Sequence, residues 1–386
     1  MHNLKISYIN KNLLLIVYFI FLFSEITTKF LEYLEFENFR VSVFFKVLFI
    51  GFYTIFFAVN FKKLNKKTVW FLSILFFLFL IGNLSSTISS SIAGIKGNLL
   101  YFVKYSFIFI LYDFYKNFNQ HQKNKLFKVI EIFIIINSIV IIIGVLFDLD
   151  FFQTYLRRER FGYNGLMYMN SQSSYIYIFL VAVYATKYNF TKIIKFKYIL
   201  ITVAAILTGA KAVYLFVLFM SLYFFFKNRL YTKLYTYAIA VLIILSWSKF
   251  VLPVVRSKFS ILADLYDKSG LFTMLLSNRD IRLQEIMVTM SDKWNIFIGG
   301  LPFFEVRTEM ALVDIVLFFG IIGTVYYLYN YYYFLLKELI QFNKFYIYYL
   351  FSVIFLILSF GGNYFTNAIT AIYIIASIDK LKQLKY

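Results

Sequence analysis

Long runs of hydrophobic residues, separated by short polar segments, occupy most of the chain. A helix that crosses a membrane needs about 20 consecutive apolar residues, and runs near that length recur from end to end. We predict twelve spanning helices, near 12–28, 41–61, 68–87, 98–115, 129–147, 166–186, 198–210, 212–226, 234–252, 310–336, 345–360 and 362–378. The pattern therefore predicts an all-α fold, a polytopic bundle of membrane helices that forms a single transmembrane domain over residues 1–386.

The amino-acid composition also indicates a membrane environment. Hydrophobic residues make up 61% of the chain and charged residues only 15%, whereas soluble domains are about half apolar and about a quarter charged. So much apolar surface cannot be buried in a water-bathed core. With no Cys and only 2 His, the chain lacks the residues for disulfides, thiol catalysis and Cys- or His-rich metal sites. No GxxxxGKS or GxxxxGKT string occurs, which excludes a P-loop ATPase. We expect no metal and no cofactor.

The net charge of +20 would suggest a nucleic-acid partner in a soluble protein, but the positions of the lysines favour a topological role. Lysines cluster in alternate loops, and 22 basic residues fall on one side of the predicted bundle. Of the 19 Asp and Glu residues, 15 lie in or beside the opposite loops. The positive-inside rule makes the lysine-rich side cytoplasmic. Both termini are therefore expected inside, with the first span as an uncleaved anchor and no nucleic-acid partner.

Residues 198–226 admit two interpretations. They could form one long helix with Lys211 at the middle of the membrane, or two short helices that meet near residues 208–211. Basic clusters flank both ends of the segment, which favours the two short helices because both ends then lie inside. Thirteen residues reach only about 20 Å, less than the hydrocarbon core of about 30 Å. The tip would therefore lie at the floor of a depression in the outer surface.

Arginine shows the opposite bias to lysine. Of the nine arginines only Arg229 is predicted to lie inside. The predicted outer arginines are Arg40, Arg157, Arg158, Arg160, Arg256, Arg279, Arg282 and Arg307. A guanidinium binds phosphate or carboxylate with two parallel hydrogen bonds and stays charged when it is dehydrated. The outer arginines therefore predict a large anionic ligand, with ordinary salt bridges to the outer acids as the alternative.

The largest outer loop covers 253–309. It is smaller than a separate domain of about 100–150 residues but long enough for short amphipathic helices. We predict one over 277–294, capped by Ser277 or Asn278. Its apolar face would contain Leu283, Ile286, Met287, Met290 and Trp294. Arg279, Arg282 and Glu285 would lie opposite, where the two arginines could straddle a pyrophosphate; the alternative is an Arg282–Glu285 pair.

Two acids stand at the start of the tenth predicted span. Glu309 precedes it, and Asp314 lies within the apolar run MALVDIVLFFGIIG. An ionisable residue inside a membrane segment is costly and is a functional candidate by default. A salt bridge from Asp314 to an outer arginine is the alternative interpretation.

Several of these segments resemble Wzy-type polysaccharide polymerases of the O-antigen ligase and polymerase superfamily. From Arg160, RFGYNGLMYMNSQ is similar to a segment in which an Arg, a Gly and a later Asn precede a membrane helix. LTGAKAVYLFVLFM at 207–220 resembles the family's short hairpin, with Ala210 and Lys211 in place of its usual Ser and Arg. Residues 278–300 resemble the large outer loop, and ALVDIVLFFGIIGTVYYLY resembles the helix after it.

The resemblance implies an α-helical bundle like that of GT-C glycosyltransferases, in the bacterial inner membrane and surrounded by membrane lipids. It implies a polymerase that transfers a growing glycan onto a repeat unit linked to undecaprenyl pyrophosphate, without a metal. A chain-length regulator and a flippase are implied as partners. Arg279 stands in the place of a functional arginine, and we expect Glu309 or Asp314 to act as general base. Expected pyrophosphate-binding residues are Arg157, Arg160, Asn170, Lys211, Arg282 and Arg307.

Two other functions remain open. The related O-antigen ligases carry a His in the outer loop, whereas this chain has none there. A flippase of lipid-linked oligosaccharides should carry charges along a central path, whereas the inner halves of the predicted spans are nearly free of charge. Both observations favour the polymerase.

Overall fold

The computed structural model describes residues 2–36, 41–59, 66–85, 92–155, 161–187, 192–233, 237, 260–291, 294–303, 305–337 and 345–383. The described residues form α-helices, one π-helical turn at Tyr332–Leu336, short 3₁₀ turns and connecting segments. Their only strand pairing is two isolated bridges, 153 with 163 and 295 with 299. The helices are α1 His2–Tyr33, α2 Val41–Val59, α3 Lys66–Ser85, α4 Ile92–Lys116, α5 Gln120–Phe147, α6 Asn170–Lys187, α7 Lys192–Leu207, α8 Lys211–Lys227, α9 Ser260–Leu276, α10 Arg279–Thr289, α11 Ala311–Tyr331, α12 Phe345–Phe360 and α13 Ala368–Gln383. The all-α prediction is confirmed for these parts of the chain.

Five of the described helical stretches are long and apolar enough to cross a membrane. They are Asn12–Tyr33, Lys66–Leu84, Gly94–Lys116, Gln120–Phe147 and Ala311–Leu336. Eleven of the twelve predicted stretches overlap helices α1–α8 and α11–α13, although the last helix begins at Ala368 and not at 362 as predicted. The remaining stretch, 234–252, lies outside the described residues except for Tyr237. Large side chains such as Trp70 and Phe77 stand exposed on α3, as expected for a surface that faces lipid.

Helix α13 lies at the centre of the bundle and packs against α4, α5 and α6. Its residues 371–376 are all buried and apolar. The hydroxyls of Tyr18 and Tyr373 are 3.0 Å apart and connect α1 to this centre. Helices α6 and α13 begin at the same end of the bundle as the candidate site, so the site is built on the most deeply packed elements.

The chain is interrupted between α7 and α8, so the alternative of one long helix is wrong. The break occurs at 208–210, and Gly209 adopts a positive φ of 71°. A Cβ at Gly209 would collide with the carbonyl oxygen of Phe161. The amide of Tyr163 donates to the carbonyl of Leu207 at 2.9 Å. The break is stable because the 161–163 segment can approach a residue that has no side chain.

Helix α11 departs from the uninterrupted helix that the sequence predicts over 310–336. At Gly320 the backbone leaves the helical region, with φ 70° and ψ 178°. The amide of Gly300 donates to the carbonyl of Phe318 at 3.1 Å, and the amide of Ile321 donates to the carbonyl of Ile296 at 2.9 Å. The 295–300 turn thereby satisfies backbone groups that the break would otherwise leave unpaired in an apolar environment.

Helix α10 is shorter than the predicted 277–294 helix. Asn278 is its N-cap, but it has a positive φ of 65° and its side chain makes no capping bond, so the predicted side-chain cap is wrong. The apolar face is only partly buried, since Ile286 is 3% exposed and Met287 45%. The helix therefore rests on the bundle through its middle turn, and its first residue, Arg279, lies over the cavity described next.

Candidate functional site

A cavity of about 610 Å³ lies where α8 begins and α12 ends. The last turns of α1, the segments 153–155 and 168–175, the end of α9 and the turn after α12 also line it. The cavity has two unlike walls. One is cationic and apolar, and the other is formed mainly by neutral polar groups, with Lys29 and Glu32 of α1 beside them. A site of this size and character is typical of ligand binding.

The cationic wall carries two residues that the sequence predicts. Arg279 is the first residue of α10, and its Nη1 donates to the carbonyl of Phe360 at 3.0 Å. Lys211 is the first residue of α8, and its Nζ donates to Ser277 Oγ at 2.9 Å and to the carbonyl of Met274. Each side chain stands at a helix N-terminus, where the helix dipole adds positive potential. This wall is therefore suited to an anion.

Glu309 lines the same cavity, directly before α11, in a left-handed conformation with φ 61°. Arg282 Nη1 lies 3.7 Å from Glu309 Oε1, and both side chains are nearly half exposed. An exposed pair of this kind contributes only about 0–1 kcal/mol, so the carboxylate remains accessible to a ligand. Arg282 therefore pairs with Glu309 and not with Glu285, the partner that the alternative interpretation gave it. Arg282 lies at the rim, beyond the residues that line the cavity.

The turn after α12, Gly361–Gly362–Asn363, forms the floor of the cavity and was missed by the sequence analysis. A Cβ on Gly362 would lie 2.8 Å from the carbonyl oxygen of Glu309 and 3.3 Å from Arg279 Nη2. The amide of Ala311 donates to the carbonyl of Gly361 at 2.9 Å, and the hydroxyl of Tyr175 donates to the carbonyl of Gly362. The signal available was a pair of glycines between two apolar stretches. The turn brings the backbone against both functional side chains.

The opposite wall presents amide and hydroxyl groups. Asn170, predicted as a ligand-binding residue, begins α6, and its Nδ2 donates to the hydroxyl of Tyr155 at 2.5 Å. Gln153, Ser171 and Ser174 line the same side. Neutral donors and acceptors of this kind match the hydroxyl groups of a sugar.

The segment 161–169, which precedes Asn170, is held in place by its own polar residues. Tyr163 donates to Asp148, and burial together with this carboxylate raises the pKa of the Tyr163 hydroxyl to about 12, so the hydroxyl stays protonated. Asn137 Nδ2 donates to the carbonyl of Asn164 at 3.3 Å, and Asn137 Oδ1 accepts from the amide of Leu166 at 2.7 Å. These hydrogen bonds fix the segment that leads into Asn170.

Lys29 is a second residue that the sequence analysis missed. It lies on α1, is 2% exposed and reaches the cavity wall. Its Nζ donates to Asn164 Oδ1 at 2.5 Å and to the carbonyl of Gly165 at 2.6 Å. Glu32, about one turn later on α1, also lines the cavity. The available signal was a lysine near the end of an apolar helix, outside the lysine clusters of the alternate loops.

Asp314 and Arg307 lie in a small neighbouring cleft and not in the main cavity. Asp314 is 4% exposed, and its Oδ1 accepts from the amide of Thr308 at 2.9 Å and from the Thr308 hydroxyl at 2.7 Å. Arg307 Nη1 donates to Asn363 Oδ1 at 2.8 Å, with its guanidinium 5.0 Å from the ring centre of Tyr101. Asp314 therefore organises the turn before α11, and its hydrogen-bond partner is Thr308 and not the arginine of the alternative interpretation.

The structure thus brings four predicted residues onto one cavity, namely Asn170, Lys211, Arg279 and Glu309. Arg282 stands at the rim, paired with Glu309. Arg157 and Arg160 lie outside the described residues. The four residues come from helices far apart in the chain, and a cation, a carboxylate and neutral polar groups all face one space.

Comparison of the chain with protein-family models, with curated proteins and with solved structures gave no match.

Proposed function

We propose that the chain is a polymerase of oligosaccharide repeat units carried on undecaprenyl pyrophosphate. The observation that carries the proposal is that one cavity joins the cationic wall of Arg279 and Lys211 to a neutral polar wall and is also lined by Glu309. A lipid pyrophosphate fits the first wall by charge. Sugar hydroxyls fit the second by hydrogen bonding. The resemblance of the 160–330 region to Wzy-type polymerases supports the same substrate.

In this proposal the protein lies in the bacterial inner membrane with twelve spans, both termini in the cytoplasm and the cavity on the outer side. The lysine clusters support the orientation through the positive-inside rule, and the apolar helices support the membrane location. The loop 253–309 then lies outside, where the substrates arrive after a flippase has moved them. A chain-length regulator is a further proposed partner.

The proposed reaction is a glycosyl transfer. A hydroxyl oxygen of the acceptor repeat forms a bond to the anomeric carbon of the growing chain. The bond from that carbon to the pyrophosphate oxygen breaks, and undecaprenyl pyrophosphate leaves with the electron pair. Negative charge grows on the leaving group, and fixed donors at that position stabilise the transition state. Arg279 supplies a bidentate hydrogen-bond donor, and Lys211 supplies a single localised positive charge.

Glu309 is the residue we assign as general base for the acceptor hydroxyl. It lines the cavity and is nearly half exposed, so a sugar can reach it. Asp314, the other candidate, is engaged with Thr308 in a separate cleft. Proton transfer to a positioned carboxylate contributes about 10²–10⁴-fold to such reactions. The retained assignment is therefore Glu309 as base and Arg279 as the main pyrophosphate ligand.

Deletion of the gene in its host, followed by gel analysis of the surface polysaccharide, tests the proposal. A polymerase predicts that the ladder collapses to core plus one repeat. Loss of all surface polysaccharide with single lipid-linked repeats held inside would mean a flippase, and long chains left on the carrier would mean a ligase. An unchanged ladder would refute all three.

The matched variants for complementation are Arg279→Ala and Arg229→Ala. Both remove one arginine, but Arg229 follows α8 at the end opposite Lys211. We expect the first to keep the collapsed ladder and the second to restore the full one, at equal protein levels in the membrane. Restoration by both would remove the role assigned to Arg279.

A further inference from the structure

The apolar side of the cavity is bounded by two helices, α8 and α12. At 3.6 residues per turn, positions 212, 215, 219 and 223 of α8 fall on one stripe. Positions 349, 353, 356 and 360 of α12 fall on another. The two helices pack against each other, and the stripes mark the faces that meet.

The two stripes are in contact at the end away from the cavity. The rings of Tyr223 and Tyr349 stack there with centres 5.2 Å apart and planes inclined by 27°. The Tyr349 hydroxyl donates to the carbonyl of Phe219 at 2.8 Å. These contacts close the α8–α12 pair at that end.

Nearer the cavity, the side chains of the two stripes no longer pack against each other. Leu215 of α8 and Leu356 and Phe360 of α12 all line the cavity, and they are 36%, 50% and 51% exposed. We call this apolar space, between Leu215 on one side and Leu356 and Phe360 on the other, the α8–α12 crevice. The stacked rings of Tyr223 and Tyr349 lie beyond its far end.

The cations of the site stand at the mouth of the crevice. Lys211 is the first residue of α8, one turn before Leu215. Arg279 donates to the carbonyl of Phe360, the last residue of α12. A molecule that fits both features has an anionic head next to an apolar chain. Because α8 and α12 are apolar helices, the chain is that of a membrane lipid.

We propose that the α8–α12 crevice holds the part of the undecaprenyl chain next to the pyrophosphate, so that the carrier enters the cavity sideways between these helices. The inference rests on the proposed function and adds the route and the binding surface of the carrier chain. Without such a route, the head group could reach Arg279 only by drawing apolar carbon into water, which is unfavourable in proportion to the area exposed. The crevice itself adds no hydrophobic gain over lipid, so selectivity for the carrier comes from the cations at the mouth.

The absence of Cys from the chain makes a site-specific test direct. Leu356→Cys, labelled with a benzophenone maleimide, places a photo-crosslinker in the crevice. Leu218→Cys is the matched control: it is also a leucine, is 53% exposed and lies on α8 about 100° from the centre of the stripe. Each protein is reconstituted in phosphatidylcholine vesicles with a small fraction of undecaprenyl phosphate, irradiated and analysed by mass spectrometry.

The measured quantity is the ratio of undecaprenyl adduct to phosphatidylcholine adduct at each position. We expect this ratio to be about tenfold higher at position 356 than at 218, which corresponds to about 1.4 kcal/mol. Arg279→Ala should lower the ratio at position 356 to that at 218, because the head group loses its ligand. Equal ratios at the two positions would overturn the proposal.

The crosslinking result and the ladder can fail separately. A collapsed ladder on gene deletion with equal adduct ratios would leave the polymerase in place and remove the crevice as the carrier's route. An enriched adduct at position 356 with an unchanged ladder would keep the carrier-binding crevice and remove the polymerase.

Discussion

Gly362 lies in a turn that closely approaches both Glu309 and Arg279. Adding one methyl group at this position therefore perturbs both residues. In Gly362→Ala the new Cβ would lie 2.8 Å from the carbonyl oxygen of Glu309 and 3.3 Å from Arg279 Nη2. Ordinary contact begins at 3.4 Å, so the Glu309 backbone must move by about 0.6 Å. That carbonyl belongs to backbone and cannot turn aside as the end of a flexible side chain can.

The expected consequence is mainly functional. A misplacement of about 1 Å can cost about a hundredfold in rate, so a shift of about half that size should lower kcat about tenfold. Overpacking of this kind costs about 1–3 kcal/mol, too little to unfold a bundle of this size. The assay is polymer formation by purified protein from lipid-linked repeats, alongside a thermal unfolding curve.

Gly51→Ala is the matched control, because a Cβ there meets nothing within 4 Å. It lies on α2, distant in sequence from the site, and should leave kcat unchanged. If Gly362→Ala formed polymer at the full rate while remaining folded, the close approach of this turn to Glu309 and Arg279 would have no functional meaning.

Four further substitutions test the site. Glu309→Gln should lower kcat at least about a hundredfold without changing the unfolding temperature. Asp314→Ala should instead destabilise the protein by about 1–3 kcal/mol, because the hydrogen bonds to Thr308 are lost. An Asp314→Ala protein that is folded but inactive would show that Asp314, and not Glu309, is the general base. Arg279→Lys should retain carrier binding but lose most of kcat, because an ammonium group lacks the planar donor pair of a guanidinium. Full activity of this variant would contradict a bidentate contact with the pyrophosphate. Lys29→Met should lower thermal stability by about 1–3 kcal/mol, since it leaves two buried acceptors unpaired, and an unchanged melting curve would show that those bonds contribute nothing.

The sequence located most of the helices because each is a local pattern. Runs of apolar residues gave the positions of α1 to α8 and α11 to α13, and the interruption near Thr208 followed from basic clusters at both ends of 198–226. The break in α11 could not be predicted in the same way. Gly320 stands in an apolar run that is compatible with a continuous helix, and the break exists only because the 295–300 turn pairs with its backbone.

The same distinction between local pattern and tertiary packing applies to the candidate site. The types and chain positions of Arg279, Lys211 and Glu309 were evident from charge placement, since an arginine or a carboxylate beside an apolar segment stands out locally. Their common cavity was decided by packing: Arg279 and Phe360, which meet at 3.0 Å, are 81 positions apart. Lys29 and Asn164 are 135 positions apart. Periodicity and charge determine which face of a helix is apolar and where it ends, because those depend on neighbours in sequence. Which helix ends come together depends on the shapes of buried faces that only the folded bundle brings into contact.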